Sequence, residues 1–80
     1  MSTLDTLNRI AITLLEHDGV ETACVSHFSN DETIPNWDAP TLWVHLYRRT
    51  ELHELPIPSE LVRVSDGHTD IGPAFGFQLA

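Results

Sequence analysis

Five histidines and a single cysteine, Cys24, are the residues of this chain best suited to chemistry. Zinc sites draw on His, Cys and carboxylates at close spacing, as in H-E-x-x-H or paired C-x-x-C. Neither pattern occurs: His53-Glu54 lacks a second histidine four residues on, and His17-Asp18 falls at the end of a predicted helix, where an imidazolium suits the helix dipole. His27 and His45 can approach across neighbouring strands, and His68 with Asp70 borders a predicted hairpin turn. No metal site is expected. A nucleophile needs a base in hydrogen-bond reach and a group to orient that base. Cys24 lies in a predicted strand, where a free cysteine is expected to be a small buried apolar residue. Ser26, Ser59 and Ser65 stand in no nucleophile motif. There is no G-x-G-x-x-G, and a chain without lysine cannot build a Walker A site. The chain is expected not to be an enzyme and to need no cofactor.

Binding chemistry is better represented. Thr41 to Arg49 reads T-L-W-V-H-L-Y-R-R. Side chains alternate across a strand, so Leu42, Val44 and Leu46 line one face while Trp43, His45 and Tyr47 line the other. The second set, flanked by Arg48 and Arg49, has the composition of an interface hot spot. Two arrangements remain open: the tail residues Phe75, Phe77 and Leu79 fold onto that face and make it a second core, or it stays free for a partner or a second copy.

The elements that must position these residues are short. Ser2 or Thr3 can cap a helix with Asp5 in its first turn. Leu4, Leu7, Ile10, Ala11, Leu14 and Leu15 share its apolar stripe, Ile12 lies off it, and Gly19 is a natural stop through positive φ, giving a helix over residues 3–18. Val20 to Phe28 predicts a strand with Ala23 and Val25 on one side and Val20, Cys24 and Phe28 on the other. Ser29 to Pro40 is rich in turn formers and predicts a long loop that carries Asp31, Glu32, Ile34 and Trp37. Thr50 to Pro58 contains two prolines and predicts a turn of helix or an irregular crossing. Leu61 to Ser65, Asp66-Gly67 and His68 to Ile71 predict a hairpin turning at Asp-Gly. Phe75, Phe77 and Leu79 then alternate as a last short strand. The fold class is α+β: one N-terminal helix packed on a mostly antiparallel sheet of three to five short strands, as a single domain over residues 1–80.

The run T-L-W-V-H-L-Y-R-R-T-E-L-H-E-L-P-I-P, followed by V-R-V-S-D-G-H-T-D-I-G, resembles the small α/β module that precedes some bacterial trypsin-like peptidase domains. The resemblance spans about half the chain, is broken by Leu61 to Ser65, and implies no role for any residue.

Charge narrows the partners. Twelve carboxylates face four arginines, a net charge of -8. Such a field repels phosphates and anionic headgroups and favours basic protein surfaces, which disfavours direct nucleic-acid binding. No apolar run is long enough for a membrane span, no signal peptide is indicated, and a lone cysteine agrees with a reducing, cytoplasmic setting. The expected function is a small acidic interaction protein that binds and regulates or inhibits a partner protein with a basic surface. In size and charge the chain looks like the small acidic proteins with which phages and mobile elements inhibit host machinery. The expected contacts are Trp37, Trp43, His45, Tyr47, Arg49, Asp31 and Glu32. The alternative is a homodimeric small-molecule or metal-binding domain that uses the aromatic face with His27, His45 or His68.

Overall fold

The structure, a computed structural model, describes residues 2–26 and 38–80. Its element order is α1 (Thr3–Leu15), β1 (Val20–Ser26), β2 (Thr41–Leu46), a short 3-10 turn (Leu52–Glu54), β3 (Leu61–His68) and β4 (Pro73–Leu79). The four strands form one antiparallel sheet in the order β1-β2-β4-β3. The expected α+β class is what the chain adopts.

Helix α1 begins where the sequence predicts, with Ser2 as N-cap accepting the Asp5 N–H through Oγ at 3.1 Å. It ends three residues early, at Leu15, and a turn through residues 16–19 follows. His17 closes that turn by accepting the Gly19 N–H on Nδ1 at 3.1 Å. Gly19 has no positive φ; a Cβ there would lie 2.4 Å from Thr50 Cγ2, so close approach of the β2–β3 crossing requires the glycine.

Among the described residues only one sheet face is covered by a helix. Leu7, Ala11 and Leu14 of α1 pack on β1 and β2, against Leu42, Val44 and Leu46, each of the latter wholly buried. Ala23 and Val25 join this face, and so does Val20, contrary to the simple alternation: a bulge between Val20 and Thr22 moves Val20 onto the core side opposite Leu46. Over the β4 and β3 half, Leu52, Leu55 and Ile57 of the crossing segment take the helix's place, packing with Leu61, Phe75 and Phe77. Leu15 was expected on the buried stripe but is 48% exposed, and Ile12 is 62% exposed.

The hairpin turns later than Asp-Gly predicts. Strand β3 runs straight through Asp66-Gly67, and Gly67 keeps an ordinary extended backbone. The turn is at Asp70-Ile71 instead, closed by the Thr69 N–H donating to the Gly72 carbonyl at 2.7 Å, with Thr69 Oγ1 accepting from the Ile71 and Gly72 amides. Two contacts with the end of β2 and the residues just after it select this register. A Cβ on Gly72 would meet the Leu46 carbonyl oxygen at 2.5 Å, and the Arg48 guanidinium donates to the Asp70 carbonyl. Of the expected hairpin arm His68 to Ile71, His68 ends β3 and the rest forms the turn, so the hairpin partner is the last expected strand, β4, with Phe75 and Phe77 on the core side.

Candidate functional site

The face opposite α1 is assembled from alternate residues of all four strands. Cross-strand partners share a face, so the register aligns Cys24, Trp43, Gly76 and Ser65 in one row, and Thr22, His45, Ala74 and Gly67 in the next. A third row joins Ser26 to Thr41 and Gln78 to Val62. No carboxylate and no cation stands at any of these positions. The charged residues of mid-β3, Arg63 and Asp66, pair with Phe77 and Phe75 on the other face, and Glu21 at the β1 bulge, Asp38 before β2, Glu60 before β3 and Asp70 in the hairpin lie at strand ends and turns.

Trp43 is the centre of this face. Its indole lies across Gly76, where a Cβ would come within 2.7 Å of Cζ3, and its Nε1–H donates to Ser26 Oγ at 3.1 Å. The glycine between Phe75 and Phe77 is therefore a seat for the ring. One end of the face is closed: Gln78 Nε2 donates to Thr41 Oγ1 at 3.2 Å, and both residues are buried. The rest is accessible. Cys24 is exposed, contrary to the expected buried thiol, because β1 presents it on the side away from α1. Val62 is 47% exposed although Leu61, its neighbour on the other face, is 8% exposed. Among the described residues no helix or strand packs on this face.

The expected contact residues separate. Trp43 and His45 stand together on the helix-free face, half-buried. Tyr47 lies beyond the end of β2, exposed, with its amide donating to the Gly19 carbonyl. Arg49 is exposed in the crossing that follows and forms no ion pair among the described residues. The continuous ladder of three aromatics is thus a pair, Trp43 and His45, with Tyr47 at the rim. Trp37, Asp31 and Glu32 lie outside the described residues, as does His27. The tail does not blanket Trp43: it pairs beside β2, edge to edge, and sends Phe75 and Phe77 to the helix side.

The histidines do not converge. His45 shares a row with Ala74 and Gly67, and His68, one residue on, points to the opposite side of the sheet. Cys24 on β1 and His68 on β3 lie at opposite edges, three strand spacings or about 14 Å apart. Among the described residues no group of three His, Cys, Asp or Glu side chains can hold a metal ion. Among the same residues no helix is long and apolar enough to cross a membrane. Sequence reasoning passed over Ser26, Gly76 and the Thr41–Gln78 pair. Gly76 alone carried a signal, since a glycine inside a strand marks the close approach of another group.

Comparison with known proteins adds no relative: no family model, no curated protein and no solved structure matches this chain.

Proposed function

We propose that the chain is a non-enzymatic binding protein whose helix-free sheet face docks onto a partner protein with a basic surface, regulating or inhibiting that partner. One observation carries the reading. A sheet face without a single charged residue, centred on Trp43 and His45 with Cys24 and Val62 exposed, sits in a molecule of net charge -8. An uncharged centre with a charged rim is the anatomy of a protein interface. The cations do little to offset the carboxylates: four arginines face twelve acids, and Arg63 is paired with Asp66 at 3.1 Å. The surface field therefore steers toward positive charge, and the apolar centre supplies contact area once a partner has arrived. A single free thiol suits a reducing, cytoplasmic setting.

The test is affinity capture with the wild-type chain and with Cys24→Glu and Val62→Glu, both exposed positions on the face. A basic protein retained by the wild type, eluted by rising salt and absent from both variants, is the expected result. Failure to retain any partner at low salt, or equal retention by the variants, would sink the reading.

A further inference from the structure

The two edges of the sheet are not built alike. Edge β3 carries the devices that discourage strand addition: Arg63 and Asp66 paired along it, a bulge between Arg63 and Ser65, and five exposed residues in eight. Edge β1 has its bulge and its one charge, Glu21, confined to its start. The remainder, Thr22–Ser26, reads T-A-C-V-S, with no charge and no proline. Among the described residues β1 has no strand neighbour but β2.

Helix α1 places apolar surface along that same side. Its Arg9, Ile10 and Thr13 flank faces Pro56 and Pro58 across a groove of about 140 Å³, on the side where the chain enters β3. At 100° per residue the opposite flank is Leu4, Asn8, Ile12 and Leu15, on the side of α1 away from the crossing, and α1 packs chiefly on β1. Ile12 and Leu15 are the exposed apolar pair on it. Among the described residues an uncovered strand edge and an exposed apolar helix flank thus lie on one side of the molecule, and Glu21 is the only charge along the strand.

We infer that this side joins a second copy of the chain, β1 pairing antiparallel with its counterpart and the Ile12–Leu15 flanks of the two helices meeting above it. The occupant follows from the edges: a second copy offers the same uncharged run Thr22–Ser26, which can pair antiparallel with itself, while Glu16, Asp18 and Glu21 stand at the margin of this side. The pairing closes on itself: a two-fold axis uses one β1 edge from each copy, leaves the defended β3 edges outermost, and makes one eight-stranded sheet. The helix-free faces then lie side by side, so this dimer uses a different surface from the partner docking proposed above and is independent of it. With the axis through the middle of Thr22–Ser26, Cys24 faces Cys24 of the second copy at a Cβ separation of about 5 Å.

The test is the mass of the purified chain by sedimentation from about 1 µM to about 1 mM, the range that small interfaces occupy. The expected result is a dimer whose dissociation constant rises about tenfold or more in Ile12→Glu/Leu15→Glu and stays unchanged in Val62→Glu. Both helix positions are exposed, and circular dichroism checks that the double variant is folded. Should it not fold, capture of the wild type by a short bismaleimide through Cys24 decides instead, with loss of the cross-link in Cys24→Ser as control. A monomer at all concentrations, a dimer broken by Val62→Glu but not by the helix variant, or a dimer that the cross-linker does not capture would overturn the inference. None of these outcomes depends on whether a basic partner exists.

Discussion

Leu61 and Val62 are neighbours in β3, yet one is buried in the core and the other is 47% exposed. The same contrast runs across the whole sheet. On the side of α1, Leu42, Val44 and Leu46 lose all contact with solvent beneath the helix, and Phe77 nearly all beneath the 52–57 crossing. On the other side Trp43 is held by a glycine seat and one hydrogen bond, with Cys24 and Val62 left accessible. Among the described residues one α-helix and one apolar crossing cover the sheet, and both lie on the same face. A face without such cover can keep its aromatic residue only by pressing it flat against the strand beside it, and that arrangement leaves an uncharged surface to offer to another protein.

The contrast predicts unequal responses to mutation. Leu14→Ala or Leu42→Ala, each opening a cavity between helix and sheet, should destabilise by about 2–5 kcal/mol in urea unfolding. Val62→Ala on the opposite face should stay within about 0.5 kcal/mol. Equal losses would mean that the helix-free face is as fully packed as the other. Gly76→Val, which forces the indole from its seat, should cost about 1–3 kcal/mol. In a Trp37→Phe background it should also red-shift the emission of Trp43; unchanged emission would show that the ring does not rest on residue 76. Removing the indole's acceptor with Ser26→Ala should cost about 0.5–1.5 kcal/mol by thermal melting. Smallest of all, Gly67→Ala should change stability by less than about 0.5 kcal/mol, because the nearest atom to its Cβ is the Ala74 carbonyl oxygen at 3.8 Å and the backbone is extended. A loss well above 1 kcal/mol would return the hairpin turn to Asp66-Gly67, since alanine is strained at positive φ.

Much of this contrast was legible in the chain. The alternation of Thr41 to Arg49 separates Leu42, Val44 and Leu46 from Trp43 and His45, and from Leu42 to Leu46 the burial follows it, while Thr41 is buried on the other face by its bond to Gln78. The period of α1 picks out Leu7, Ala11 and Leu14 because a stripe buried against a flat sheet needs only these side chains to be apolar. The misplacements came where a neighbour distant in sequence settled a local choice. Asp66-Gly67 has the local chemistry of a tight turn, but the fit of Gly72 against Leu46 and of the Arg48 guanidinium on the Asp70 carbonyl holds the turn four residues later. Val20 changes faces because a bulge re-phases the strand, and no pattern of residue types announces an extra residue. Cys24 is exposed because exposure depends on which face receives the helix.

The sequence by itself determined the element types, the two-sided character of β2 and the acidic field, since these depend on side-chain period, capping and charge count, which are local or additive. Only the tertiary structure decided that the C-terminal strand lies beside β2 and not across it. That choice rests on burial of Phe77 with Leu42, on Gly76 beneath Trp43 and on Gly72 against Leu46. Each is a contact between residues some thirty positions apart, whose geometry exists only once the strands have paired.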